Sequence, residues 1–232
     1  MHIPDGYLSP STCLTLGTVM LPVWYRASVV VKKHLDLAQI PFMAMGAVFA
    51  FLIMMFNIPI PDGTTAHAVG GVLIAIALGP WAAVIAVSVA LFIQALVFGD
   101  GGILAFGANA FNMAFVLPFT GYYTYQLLVG KSVAGSARSL MAAAVGGYVG
   151  INLAALVAAI EFGIQPLLFV AADGTPLYSP YGLSVAIPAM MMAHLFVAGF
   201  VEGAVTALVL KFAWRTSPEL VRPINGIAVG GK

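Results

Sequence analysis

The stretch 80–98, PWAAVIAVSVALFIQALVF, holds no charged residue and is bounded by Gly79 before it and Gly99-Asp100 after it. At about 1.5 Å of rise per residue, a helix of this length crosses the roughly 30 Å hydrocarbon layer of a bilayer. Proline at its head suits a first helical position, where no N–H is needed. The rest of the chain has the same character. Of its 232 residues 62% are apolar and 7% charged, and the mean hydropathy is +1.04. A water-soluble domain carries about 25% charged residues, and so sparse a set cannot cover a surface facing water. The chain therefore reads as a single polytopic membrane domain, 1–232, an all-α bundle of seven transmembrane segments at roughly 12–31, 37–57, 66–79, 80–98, 108–129, 137–162 and 183–213. The short third segment meets the fourth at Gly79-Pro80. The linker 163–182, with Pro166, Asp173, Gly174, Pro176 and Pro180, reads as a capping loop.

Charge placement sets the expected orientation. With the N-terminus extracytoplasmic and the C-terminus cytoplasmic, Arg26, Lys32, Lys33, Lys131, Arg138, Lys211, Arg215, Arg222 and Lys232 all fall on the inner side. Asp5, Asp62, Asp100 and Asp173 then fall outside. Several function classes are excluded. A net charge of +1 from so few charges builds no patch for nucleic acid. Cys13 is the single cysteine, which precludes an internal disulfide and a thiolate zinc cage. No GxxxxGK[ST], HExxH or GxSxG is present, so neither ATP hydrolysis nor a nucleophilic enzyme is expected.

The chemistry concentrates at the start, MHIPDGYLSP (1–10). This stretch lacks the basic residues of a secretory leader, and the expectation is a free amine on Met1. That amine, the His2 backbone nitrogen and the His2 imidazole Nδ1 form two fused chelate rings. The middle donor must shed its amide proton, which Ni(II) and Cu(II) drive well, and those ions favour the planar nitrogen set the rings impose. One planar position stays open. Of the other histidines, His34 sits beside Lys33 on the inner side and His194 lies deep in the seventh segment, where hydrogen-bonded packing is expected. His67 alone shares the outer side, two residues past Thr64-Thr65, and is the candidate fourth ligand. Taken alone, His2 reads more readily as a residue on a loose terminus. Pro4 and Asp5-Gly6 argue for a folded-back turn, and IPDG recurs at 60–63 before His67. Asp5 or Asp62 is then placed to orient an imidazole, or simply to cap a turn. Asn109 and Asn112, three apart after the glycine-rich FGDGG (98–102), are expected to bond the N-terminal segment or the third helix, or to join helices structurally. Glu161 reads as interfacial, Glu202 as paired within the bundle. Gly46 and Ala50, with Ala44 and Val48 adjacent, offer a small-residue docking face.

MHIPDGYLSP, IPIPDGTTAHAVGG (58–71), ALGPWAAV (77–84), QALVFGDGG (94–102) and GANAFNMA (107–114) together resemble the CbiM/NikM family, closely to about residue 125 and more loosely beyond. These are substrate-capture (S) components of energy-coupling-factor importers for cobalt and nickel. Thr64 and Thr65 stand where serine or smaller residues are expected. The resemblance implies a seven-helix bundle and an ion held by the Met1 amine, the His2 backbone nitrogen and imidazole, and His67. It implies partner chains: a transmembrane T component, two ATPase (A) subunits and, in many members, a small accessory membrane subunit. Cofactors are not called for, since Ni2+ or Co2+ is cargo. Two other readings are the S component of a vitamin importer, using Tyr178, Tyr181 and the 163–182 loop, and an intramembrane enzyme using His194 and Glu202.

Overall fold

The computed structural model describes residues 2–60 and 64–218, the side chains of 60, 64 and 65 excepted. Helix α1, Pro10–His34, begins at Ser9, whose hydroxyl accepts from the Thr12 N–H, with Pro10 in the first turn. It ends in Lys32, Lys33 and His34, cations that complement the carbonyl end of the helix dipole. Along its exposed face Thr15, Thr18 and Ser28 turn their hydroxyls back onto carbonyls one turn earlier. Those hydroxyls would otherwise be unpaired in lipid. Helix α2, Leu37–Met55, opens on a capping box made by Asp36 and Gln39. A two-stranded hairpin follows, β1 (Ile58–Ile60) against β2 (Thr64–Ala66), with Ile58 opposite Ala66 and Pro59 opposite Thr65.

Helix α3, Gly71–Leu78, is buried along nearly its whole length. Its eight residues reach about 12 Å, too little to cross a bilayer. It lies at the centre of the bundle, packed against α4 (Pro80–Phe98), α5 (106–129), α6 (Ala137–Gly163) and α7 (Leu183–Thr216). Among the described residues the protein is all-helical in class, with seven main helices beside the short turn of helix Gln165–Leu168, and α1, α2, α4, α6 and α7 are long and apolar enough to cross a membrane. Helices α1 and α2 flank α4 and keep most of their surface outward.

Lipid is as apolar as leucine, so close packing, not hydrophobic burial, must hold these helices together. The α5–α6 pair meets at Gly121 and Gly146, where a Cβ on either would sit 2.7–2.8 Å from the other's carbonyl oxygen. The proposed docking face of α2 is half taken. Gly46 lies on Ile74 of α3 and Ala50 is fully buried, so only Ala44 and Val48 remain outward.

Three helices loosen into π-helical turns, at Gln94–Phe98 in α4, Ala110–Val116 in α5 and His194–Ala198 in α7. Each turn carries a buried polar residue, namely Gln94, Asn112 and His194. Such bulges re-aim side chains and gather at functional sites.

Candidate metal centre

The N-terminal segment is folded into the protein. The Ile3 N–H donates to Asn109 Oδ1 at 2.8 Å, and Asn109 Nδ2 donates back to the Ile3 carbonyl at 3.0 Å. That carbonyl also accepts from the Gly102 N–H. Ile3 and Leu8 are buried with Cys13, Ala105 and Ala108. Further along, the Ser9 N–H donates to Gln165 Oε1 at 3.0 Å, and the Ser179 N–H donates to the Tyr7 carbonyl. Residues 2–9 are therefore tied to the α4–α5 loop, to α5 and to the α6–α7 connection.

Of the two roles open to Asp5, the fold-back shows a cap. The Asp5 carboxylate accepts from the Ile103 and Ala105 N–H groups, both at 3.1 Å. Gly102 has to be glycine for this reason, because a Cβ there would land on the Asp5 carboxylate. Asn109 bonds the N-terminal segment as expected. Asn112 instead donates to Glu161 Oε2 at 2.8 Å, and Glu161 is buried against it, not interfacial.

The outcome is a meeting of two imidazoles. The rings of His2 and His67 lie 4.9 Å apart, tilted by 33°. His67 is 2% exposed. Its Nδ1 lies 3.1 Å from the Ala68 carbonyl oxygen. A carbonyl only accepts, so Nδ1 carries the proton and Nε2 keeps the ring's lone pair. His2 is the mirror case. Its Nε2 lies 3.2 Å from Gln94 Oε1, and its Nδ1 faces Asp100 Oδ1 at 3.6 Å. Burial pushes the His2 pKa down to about 4, against the opposing pull of Asp100 and Gln94. The ring is therefore neutral at pH 7, the form that ligates a metal.

The loop bearing His67 is fixed from behind. Glu202, fully buried on α7, accepts from the Val69 N–H at 2.7 Å and the Gly70 N–H at 3.0 Å. Gly70 itself is left-handed, with φ +75°. Glu202 is thus paired within the bundle, though to backbone. His194 begins the π-turn of α7 that packs on β2. Its Nδ1 donates to the Met190 carbonyl at 2.8 Å, as expected of a packing histidine. Met1 and Asp62 lie outside the described residues, and Thr64 and Thr65 are described only as backbone of β2. Among the described residues no three His, Cys, Asp or Glu side chains converge as a ligand set.

Sequence reasoning missed Gln94, Asp100 and the role of Glu202. The signal for Gln94 was present, a lone amide inside an otherwise apolar span. A pocket of about 660 Å³ lies elsewhere, between α1 and the start of α5, lined by Leu14, Gly17, Leu21, Trp24 and Phe106 among others. It contains neither histidine.

Residues 2–220 match the family model described as CbiM, cobalt uptake substrate-specific transmembrane region. The chain belongs to the CbiM family. It is 56% identical over 222 residues to LarMN, a fused nickel transport protein of Lactiplantibacillus plantarum, covering 94% of this chain and 66% of that one. It is 52% identical over 223 residues to NikMN, a fused nickel transport protein of Rhodobacter capsulatus, covering 96% and 64%. The chain thus spans about two thirds of the length of these two relatives. A crystal structure of a truncated transition metal transporter superposes with a TM-score of 0.87 at 59% identity, covering 93% of this chain and 99% of that one. This CbiM-family chain is a multi-pass membrane protein.

Proposed function

We propose that the chain captures Ni2+ or Co2+ at the outer face of a prokaryotic cytoplasmic membrane, as the S component of an ATP-driven energy-coupling-factor importer. The observation that carries this reading is the pair of buried, neighbouring imidazoles. Each has one nitrogen within hydrogen-bond distance of an acceptor, His2 Nε2 at Gln94 Oε1 and His67 Nδ1 at the Ala68 carbonyl. In the proposed site the Met1 amine, the His2 backbone nitrogen and the His2 Nδ1 occupy three corners of a plane, and His67 Nε2 the fourth. Asp100 supplies a negative charge beside them. Planar nitrogen with an ionised amide suits low-spin Ni(II) best and admits Co(II). Nickel is therefore the preferred cargo, in keeping with the nickel transport named for both fused relatives.

The N-terminus is extracytoplasmic in this reading and the C-terminus cytoplasmic. Energy comes from partner chains, namely a T component and two ATPase subunits, joined in many members of the family by a small accessory membrane subunit. The vitamin reading is not favoured. Tyr181 is exposed and Tyr178 packs edge-on against Phe169.

The test is titration of purified protein with nickel and with cobalt, beside His67→Ala. One ion per chain, a visible d–d band, and loss of both in His67→Ala are expected. Unchanged stoichiometry and spectrum in His67→Ala would overturn the reading.

A further inference from the structure

The two imidazoles reach their ligand-ready form by different means. The proton of His67 is placed by a backbone carbonyl, which no substitution alters. That of His2 depends on a side chain. Gln94 is fully buried at the first residue of the π-turn in α4. Its amide is a potential ambiguity, since oxygen and nitrogen are interchangeable by a flip. The structure removes the ambiguity, because Gln94 Nε2 lies 3.4 Å from the carbonyl oxygen of Phe51 in α2. A carbonyl needs a donor, so the NH2 faces Phe51 and the Oε1 faces His2, at 3.2 Å from its Nε2. An acceptor there requires His2 to carry its proton on Nε2. The lone pair is then on Nδ1.

The alternative tautomer has a competitor ready. Asp100 closes the same π-turn stretch, its N–H bonded to the Gln94 carbonyl, and its carboxylate lies 3.6 Å from His2 Nδ1. A proton on Nδ1 would point at that carboxylate, but beyond good hydrogen-bond length. With the proton on Nε2 two acceptors face each other across this gap, a repulsion that a cation placed between them relieves.

We propose that Gln94 is a positioning residue that holds His2 in its Nε2–H tautomer, through the chain Phe51 carbonyl, Gln94 amide, His2 Nε2–H, and so presents Nδ1 as the ligating nitrogen. This rests on the reading of His2 as a ligand, yet the tautomer can be measured without any metal. Full-length, metal-free protein labelled with 15N in its histidines is compared by NMR with Gln94→Met and Gln94→Glu. The His2 signals are identified by their absence from His2→Ala.

Met keeps the shape of the side chain and removes the acceptor. Glu keeps an acceptor toward His2. The wild-type ring should be Nε2–H, Gln94→Glu should stay so, and Gln94→Met should shift toward Nδ1–H under the pull of Asp100. Nickel affinity should fall about ten-fold or more in Gln94→Met, as for other partners that orient metal-bound histidines, and recover in Gln94→Glu to within a few-fold. A residue that merely packed would give the reverse order, since Met is tolerated in an apolar interior better than Glu. A wild-type His2 protonated on Nδ1 overturns the proposal by itself, whether or not either variant folds. It would do so even with nickel capture intact. Absence of nickel binding with the Nε2–H tautomer present would instead overturn the capture reading.

Discussion

Replacing Asn109 by Ala removes two of the three hydrogen bonds of the Ile3 backbone at once, leaving the N–H with none of these and the carbonyl with Gly102 alone. A buried donor stripped of its acceptor costs about 1–3 kcal/mol. Asn109→Ala is therefore expected to loosen residues 2–9 and weaken nickel binding by ten-fold or more, as read by titration calorimetry, while helix content by circular dichroism stays unchanged. Gly102→Ala should act in the same direction, because its new methyl group falls on the Asp5 carboxylate. Equal affinities in these variants and wild type would show that the fold-back does not build the site. At this scale the sequence was partly readable. Asn109 and Asn112 stood out as amides three apart in an apolar run, but nothing local says that one would bond Ile3 and the other Glu161. Asp5 beside Gly6 looked the same whether it was to orient a ring or accept backbone N–H groups. The choice is made by the 103–105 loop, a hundred residues away.

The element that matters most is the loop from His67 to Gly70, held between β2 and α3 by a carboxylate from α7. Glu202→Leu leaves two buried N–H groups unpaired and frees the loop, whereas Glu202→Gln retains one acceptor oxygen. Nickel affinity is expected to rank wild type above Glu202→Gln above Glu202→Leu, with Leu at least ten-fold weaker. Identical affinities would mean that His67 is placed by the hairpin alone. The helices themselves were legible from apolar length. Segment 80–98 coincides with α4, and 137–162 and 183–213 end within a few residues of α6 and α7. Segment 66–79 was not. Its first residues close a hairpin and turn through left-handed Gly70 before the helix begins at Gly71. Hydropathy alone cannot tell a buried loop from a buried helix. Nor do the π-turns announce themselves, since an extra residue per turn leaves no compositional trace.

For the whole molecule, two properties follow from the proposed arrangement. On orientation, with Cys13 replaced by Ser, a cysteine at Asp173 should react with a membrane-impermeant maleimide on intact cells, and one at Lys131 only after lysis. The opposite pattern would invert the bundle. On pH, the His2 pKa lies near 4 instead of the ordinary 6.5, so that ring holds no proton to shed above about pH 5. Below the ordinary amine pKa of about 8, each bound ion displaces about two protons, one from the Met1 amine and one from the His2 amide. Affinity should fall about a hundred-fold per pH unit between about pH 7 and 5, and stay bound by nitrogen at pH 8. A flat profile would exclude the amide and amine as ligands. The most direct test of the account is metal content and absorption spectrum of protein beginning at Met1, beside the same protein with one residue added before it. Addition turns the amine into an amide and leaves every described contact in place. The account predicts one nickel or cobalt per chain with a d–d band in the first, and neither in the second. Equal metal and equal spectra in both would contradict it.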